Sequence, residues 1–185
     1  MKTVGDKLEA FTVTAAKPGF NHPEENGESA FQEITEQTFA TKWKVIYFYP
    51  KDFTSDCATE IVGFARLRKE FEARDTMLIG GSCDNEHVKL AWRREDKDLD
   101  RLNHFSFGDV KGELIDMLGV RDKDEGVALR ATFVVDPDNT IQHVSVDNLN
   151  VGRNPDEILR VLDALQTGQM CLSGRPVGGT TLQVR

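Results

Sequence analysis

The chain has 185 residues, of which 39% are hydrophobic and 29% are charged, with a net charge of -8 and a pI near 5.0. This length predicts one domain with a real hydrophobic core, and the composition is that of a soluble globular protein. The acidic balance argues against nucleic acid or an anionic membrane surface as a partner. We find no apolar run typical of a signal peptide or a transmembrane helix, so we expect a cytoplasmic protein.

The first third of the chain predicts a buried strand that leads into a helix. Residues 3–14 alternate weakly and predict an edge strand or an irregular lead-in, and the Gly- and Pro-rich residues 18–32 predict an exposed loop or hairpin. Lys42–Tyr49 is rich in β-branched and aromatic residues, which is typical of a buried central strand. Apolar residues at helical spacing then predict a helix over 57–73.

The remaining segments alternate between strand and helix patterns. In chain order they are a strand at Thr76–Ser82, a helix at Glu86–Asp96, a solvated helix end and loop at Arg93–Arg101, a short strand at Phe105 and Phe107, a helix at Lys111–Leu118 stopped by Gly119, a hairpin of Ala131–Val135 and Ile141–Val146, and an amphipathic helix over 155–166. This order is that of a thioredoxin-like α/β fold.

Cys57 lies in the first turn of the predicted helix that follows the central strand. Free backbone N–H groups and the positive end of the helix dipole favour a thiolate there, and a thiolate is a nucleophile. Pro50 has no N–H, so it can end the strand and shield a pocket from water. Thr54 places a hydroxyl on the same side of the turn, where it can accept from a bound oxidant while donating to the sulfur or to the backbone.

A structural role for these residues is the competing interpretation. Thr54, Ser55 or Asp56 would then only cap the helix, and Cys57 would be a small buried hydrophobe, as most free cysteines are. The residues alone leave both interpretations open.

The other cysteines are Cys83 and Cys171, and the total of three has neither disulfide-scaffold density nor a Cys-x-x-Cys metal spacing. The histidines lack partners at ligand spacing, so we expect no metal and no cofactor. Oxidation of Cys57 would give a sulfenic acid, which a second thiol can attack. Cys171 follows the last helix in a Gly- and Pro-rich tail, which suits a mobile carrier of that thiol, although an incidental tail cysteine is the alternative.

The spacing Pro50-x-x-x-Thr54-x-x-Cys57 between strand and helix resembles the peroxidatic motif of the peroxiredoxins, and Phe48–Glu60 resembles the alkyl hydroperoxide reductase C group of typical two-cysteine peroxiredoxins. Further resemblance covers nearly all of the chain, at Val4-Gly5, Phe11, Ala91-Trp92, Gly119-Val120, Arg130, 133–136 and 151–154. It implies a thioredoxin-like fold with a mixed central sheet flanked by helices, peroxiredoxin-type insertions, a domain over 1–167 and a tail over 168–185.

The resemblance also implies a thiol peroxidase that reduces hydrogen peroxide and organic hydroperoxides. Cys57 matches the peroxidatic cysteine, and Cys171 matches the resolving cysteine, which in this family reacts across a homodimer. A thioredoxin-like or flavoprotein disulfide reductase would then supply electrons, and the dimers often form a ring. Cys83 matches no family role and is interpreted as a structural thiol.

Arg130 matches a family position from which a guanidinium would favour the thiolate and bind the peroxide. Its alternative is a surface ion pair with Asp124 or Glu125. Glu60 and Arg153 also match family positions, and we expect them to pair behind the site.

The chain departs from the family pattern both around Cys57 and in two sequence elements that it lacks. Ala58 replaces a usual proline, and Asp56 puts a carboxylate beside Cys57, where it would either disfavour the thiolate by repulsion or face solvent as a cap. The chain has no Gly-Gly-Leu-Gly before Phe105 and no Tyr-Phe end, and in this family their absence predicts resistance to overoxidation. Mass spectrometry that found Cys57 sulfinic acid after a modest peroxide excess would contradict this.

Two other functions use the same thiols. A redox-gated chaperone or peroxide sensor would oxidise without sustained peroxide consumption. A thioredoxin-like disulfide reductase is the weaker alternative, because the chain has no Cys-x-x-Cys motif.

Overall fold

The computed structural model describes residues 1–182, and a mixed sheet of seven strands runs through its centre. The strands of the chain are β1 (Thr12–Ala16), β2 (Glu24–Glu25), β3 (Glu28–Ser29), β4 (Phe31–Thr35), β5 (Trp43–Phe48), β6 (Thr76–Ser82), β7 (Phe105–Gly108), β8 (Arg130–Val135) and β9 (Ile141–Asp147). The helices are α1 (Ser55–Arg66), α2 (Arg68–Ala73), α3 (Glu86–Glu95), α4 (Glu113–Leu118) and α5 (Pro155–Gln166). The central sheet has the order β4-β1-β7-β6-β5-β8-β9, and β2 pairs with β3 in a second sheet of two strands.

Strand β5 lies inside this sheet, parallel to β6 and antiparallel to β8. Its side chains alternate between two apolar layers because successive residues of a strand point to opposite faces. Val45 and Tyr47 pack with α1, α2 and α5, whereas Ile46 and Phe48 pack with α4 on the other face. Because both faces of the strand are covered, its residues form the near-continuous apolar run seen in the sequence.

The ring of Tyr47 in β5 approaches β6 so closely that it explains the glycine at position 80. A Cβ atom added to Gly80 would overlap the ring of Tyr47, which stacks on Phe64 of α1 with ring centroids 4.1 Å apart. The absence of a side chain at Gly80 therefore allows the aromatic layer to form directly behind the start of α1.

Most predicted elements are confirmed, with corrections to the extent or the sheet position of some. The strands at 76–82 and 105–108, the hairpin β8–β9 and helix α5 all occur where they are expected. The predicted helix over 57–73 begins earlier, at Ser55, and is two helices, because Leu67 leaves helical geometry with φ -95° and ψ 3°. The edge strand or irregular lead-in expected over residues 3–14 instead contains the start of the interior strand β1. The loop or hairpin expected over residues 18–32 is confirmed as the hairpin β2–β3, but its end belongs to the edge strand β4.

The prediction of a solvated helix end and loop over Arg93–Arg101 is wrong at Arg93 and at Leu99, which are both buried. Arg93 is only 2% exposed, and its guanidinium donates to the carbonyl oxygens of Lys17 and Phe20 at 2.7 and 2.8 Å. It also donates to the hydroxyl of Ser106 at 3.0 Å. Through its two Nη atoms, this cation binds neutral acceptors and ties the segment before β2 to α3 and β7.

The tail after α5 folds back on that helix over its described part. Arg175 is buried and pairs with Asp163 of α5 at 2.8 Å, while the backbone N–H of Leu182 donates to Met170. No helix or strand occurs between Thr167 and Leu182, and the last three residues of the predicted 168–185 tail, together with its chain end, lie outside the described residues. Within residues 1–182, we find no helix that is long and apolar enough to span a membrane.

Candidate active site

The connection between β5 and α1 places Cys57 at the start of a helix. Tyr49 donates its N–H to the carbonyl of Gly81 at 3.0 Å, after which Pro50 ends the pairing because it has no donor. Thr54 is extended, with φ -120° and ψ 140°, and its carbonyl accepts the first helical bond from Ala58. Cys57 is the third residue of α1, among the N–H groups that precede that first bond, and only 1% of it is exposed.

Arg130, the first residue of β8, brings a guanidinium to the Cys57 thiol. Its Nη1 lies 3.4 Å from Cys57 Sγ and donates to Glu60 Oε2 at 2.7 Å. Its Nε donates to the carbonyl of Leu149 at 2.8 Å, which fixes the plane of the group. Burial opposes the charged form, but contacts with Cys57 and Glu60 outweigh it and raise the pKa of Arg130 above its usual value. The site therefore holds a permanent positive charge against the sulfur.

Glu60 and Arg153 form the predicted pair behind this guanidinium. Glu60, one helical turn after Cys57, accepts from Arg153 Nε at 3.1 Å while it also accepts from Arg130. Arg153 donates further to the carbonyl of Ala131 at 2.8 Å and to the carbonyl of Phe48. The buried carboxylate thus joins α1, β8 and the segment before α5, and a buried charge network of this kind is costly to break.

The contacts of Thr54 and the burial of Pro50 are compatible with the roles predicted for them. The Thr54 hydroxyl donates to the carbonyl of Lys51 at 2.8 Å, so its proton is committed to the backbone and its oxygen is left to accept. It makes no capping bond to the helix. Pro50 is buried at the end of the strand.

Asp56 is exposed to solvent, but an ion pair compensates its negative charge. Its side chain is 64% exposed, yet Oδ2 accepts from Arg130 Nη2 at 2.5 Å. Desolvation acts against the charged form, but the N–H groups of Asp56 and Cys57, together with Arg130, hold the pKa of this carboxyl below its usual range. The alternative pairing of Arg130 with Asp124 or Glu125 is wrong; Glu125 pairs with Lys51 instead.

The structure does not bring Cys171 to Cys57 within one chain. Both are free thiols, and Cys171 Sγ lies 3.6 Å from the hydroxyl of Thr167 and 3.8 Å from the carbonyl of Ala164. It lines an open cavity of about 530 Å³ between α5 and the tail, with Arg160, Leu165 and Leu172. Cys83 is a third free thiol, half-buried at the end of β6, where burial raises its pKa.

A buried polar cluster under the Pro50–Thr54 loop was not predicted. Lys89 of α3 donates to Asp52 Oδ1 at 2.8 Å and to the hydroxyl of Tyr49 at 3.0 Å. Tyr49 in turn donates to Asp52 at 2.7 Å. A lysine among the apolar positions of a predicted helix was the one available signal, since its partners lie 37 and 40 positions away.

The AhpC/TSA family matches residues 4–144. The chain belongs to this family. Alkyl hydroperoxide reductase C of Mycolicibacterium smegmatis is 42% identical over 182 residues, covering 97% of this chain and 93% of the relative.

Solved structures of family members share the fold. Mycobacterium tuberculosis AhpC superimposes with a TM-score of 0.85 at 43% identity, covering 94% of this chain and 98% of that one. The reduced 2-Cys peroxiredoxin of Plasmodium vivax gives a TM-score of 0.86 at 29% identity, covering 98% and 93%. The thioredoxin-like fold of the peroxiredoxins and the predicted family are therefore confirmed.

Membership of this family makes the chain a thiol-dependent peroxidase, an oxidoreductase, as predicted. The relatives are named as hydroperoxide reductases and peroxiredoxins, which does not favour a redox-gated chaperone or sensor.

Proposed function

We propose that this chain reduces hydrogen peroxide and small organic hydroperoxides through a cycle of two thiols. The Cys57 thiolate attacks one peroxide oxygen, the O–O bond breaks, and water or an alcohol leaves after taking up a proton. Cys57 is thereby oxidised to a sulfenic acid. The observation that carries this proposal is the buried Arg130 guanidinium, 3.4 Å from a cysteine sulfur at a helix start.

Three residues prepare the peroxide for attack in this proposal. Arg130 stabilises the negative charge that moves from sulfur to oxygen as the bond breaks. Thr54 offers its oxygen as an acceptor for the peroxide hydrogen, since its own proton goes to Lys51. Pro50 excludes water without adding an unsatisfied donor. Glu60 and Arg153 hold Arg130 in place from behind.

Cys171 of the partner subunit completes the cycle. Its sulfur attacks the sulfenic sulfur, a disulfide forms, and the sulfenic oxygen leaves as water. Within one chain the two thiols have separate surroundings, Arg130 for Cys57 and Thr167 for Cys171, so they do not meet in this conformation. The family resemblance favours a reaction between subunits. A homodimer, within a ring of dimers, provides that encounter.

A thioredoxin-like protein or a flavoprotein disulfide reductase then returns two electrons to the disulfide. Such a cycle suits the cytoplasm, where thiols are kept reduced. We assign residues 1–167 to the peroxidase domain and residues 168–185 to the tail that carries the resolving thiol.

The test is one equivalent of hydrogen peroxide added to the reduced protein, followed by non-reducing electrophoresis and mass spectrometry. We expect a covalent dimer joined by Cys57 and Cys171, lost in Cys171→Ser. Cys83→Ser is the matched control and should still form the dimer. A Cys57 that stays a thiol would refute the peroxidase proposal, whereas oxidation of Cys57 without a link to Cys171 would refute only the resolving role.

A further inference from the structure

The loop that precedes the reactive cysteine is attached to the protein through a buried carboxylate. Asp52 lies between Pro50 and Thr54, and its side chain is almost fully buried. Its Oδ1 accepts from Tyr49, Lys89 and Ser82, and its own N–H donates to Asp84 Oδ2 at 2.9 Å. One loop residue thus contacts both the end of β6 and helix α3.

Lys89 supplies the charge that makes this burial possible. Its ammonium group has three donors, and they serve Asp52, Tyr49 and the hydroxyl of Ser82. The Nζ atom also lies 4.9 Å from the centre of the Tyr49 ring. Because a buried carboxylate without a cation is strongly unfavourable, Asp52 keeps its position only while Lys89 is beside it.

The residue after Asp52 is held in an unfavourable conformation. Phe53 has a φ of 60°, in the left-handed region that side chains other than glycine avoid. Its ring is half exposed and stacks on Trp92, with centroids 5.8 Å apart and an angle of 26° between planes. Such a conformation persists only where surrounding contacts impose it. Here helix α3 supplies contacts on both sides, through Lys89 and Trp92.

We propose that Lys89 and Asp52 are positioning residues for the peroxidase reaction, because their buried ion pair fixes the loop that presents Thr54 and Pro50 to the peroxide. The inference rests on the proposed function. Neither residue touches the Cys57 sulfur. Their effect passes through the backbone of Phe53, which connects Asp52 directly to Thr54 at the start of α1.

The chain offers a matched control in a second buried lysine. Lys44 lies near the opposite end of β5 and donates to the carbonyl of Phe39 at 3.3 Å. Replacing it removes a buried ammonium group without touching the Pro50–Thr54 loop. Lys44→Met therefore reproduces the loss of a buried cation but not the loss of loop positioning.

The experiment measures the rate constant for the first equivalent of hydrogen peroxide in folded wild type, Lys89→Met, Asp52→Asn/Lys89→Met and Lys44→Met. The double variant leaves no unpaired charge, so it stays folded if the single variant does not. We expect both Lys89 variants that fold to react about 10- to 100-fold more slowly, as misplacement of a reacting geometry by about 1 Å does. Lys44→Met should stay within about twofold of wild type.

Fluorescence of Trp92, in a Trp43→Phe background, gives a readout of loop position that does not depend on activity. We expect the loss of the Phe53–Trp92 stack to change the emission in the Lys89 variants and not in Lys44→Met. Folded Lys89 variants with the wild-type rate, or an equal loss in Lys44→Met, would overturn the positioning role alone. A wild type that does not react with peroxide would instead overturn the proposed function and this inference with it.

Discussion

At the scale of single residues, the site depends on which acceptors the N–H groups of the Arg130 guanidinium bind. Arg130 contacts a thiol, two carboxylates and a carbonyl, so every acceptor around it is anionic or polar. Asp56 sits beside Cys57 in the sequence and would repel a thiolate, but it shares the same cation. The carboxylate that the sequence suggested as an obstacle is thereby neutralised by the group that serves the sulfur.

Replacing Arg130 with glutamine should lower the rate constant for peroxide by about 10²- to 10³-fold, because one preorganised donor of transition-state charge is lost. Glu60 retains Arg153, so the variant is expected to fold. Stopped-flow measurement of Cys57 oxidation checks this. Arg121→Gln, which breaks an exposed pair with Asp116, is the control and should leave the rate unchanged. A wild-type rate in Arg130→Gln would exclude the charge role.

The role of a residue could be predicted from the sequence only where its partners are close in sequence or where a family pattern indicates that role. Cys57, Thr54 and Pro50 lie within eight positions of one another, so local geometry brings them together. The contact between Arg130 and Cys57 spans 73 positions and followed only from the family pattern. Lys89 had neither a nearby partner in the sequence nor a family position to indicate its role, because its contact with Asp52 depends on how α3 packs beside the loop.

At the scale of elements, periodicity identified the strands and helices but not their neighbours. β1 is short and weakly alternating, so the sequence suggested an edge; its interior position comes from pairing with both β4 and β7. The break at Leu67 has no Gly or Pro to mark it. Arg93 looked solvated because it begins a charged run, and only tertiary contacts with backbone carbonyls explain its burial.

The tail after α5 is held to that helix through Asp163. Asp163 receives Arg74, Arg175 and the N–H of Gly178, and although burial opposes it, these bonds lower its pKa to about 2. Asp163→Asn removes the charge that holds Arg175 and should loosen the tail by about 1 to 3 kcal/mol. We expect faster hydrogen exchange of the Gly178 and Leu182 amides.

The matched control is Asp156→Asn, also on α5, which breaks the exposed pair between Asp156 and Arg66 of α1. Exposed pairs contribute little, so tail exchange should not change in this variant. Unchanged exchange in Asp163→Asn would mean that other contacts, such as the bond from the Arg160 guanidinium to the Arg175 carbonyl at 3.1 Å, retain the tail on α5.

At the scale of the whole molecule, buried polar side chains join segments that are distant in sequence. Arg93 links α3 to residues more than 70 positions earlier, and His104 Nε2 lies 2.7 Å from the hydroxyl of Tyr47, at the centre of the sheet. Burial and, to a lesser degree, Arg93 and Arg68 lower the pKa of His104 to about 3. The folded protein therefore keeps this imidazole neutral at pH values where an unfolded chain would protonate it.

This depressed pKa makes stability depend on pH with a definite sign. Well above pH 6.5 the imidazole is neutral in both the folded and the unfolded protein, so its titration does not change the free energy of unfolding. As the pH falls from 6.5 towards 3, only the unfolded chain takes up the proton, and the free energy of unfolding declines. At pH 4.5 the loss amounts to about 2 to 3 kcal/mol.

Urea denaturation of wild type and His104→Gln at pH 7 and pH 4.5 measures this contribution. The variant loses the bond to Tyr47 and should be less stable at pH 7, but the difference should shrink by about 2 to 3 kcal/mol at pH 4.5, because glutamine does not titrate. Exposed His22→Gln serves as the control and should follow the wild-type pH dependence. If His104→Gln lost stability between pH 7 and pH 4.5 as steeply as wild type, His104 would not be the source of the acid sensitivity. Asp163 could not account for that loss, because its pKa, lowered from 3.8 to about 2, reduces stability only at a more acidic pH.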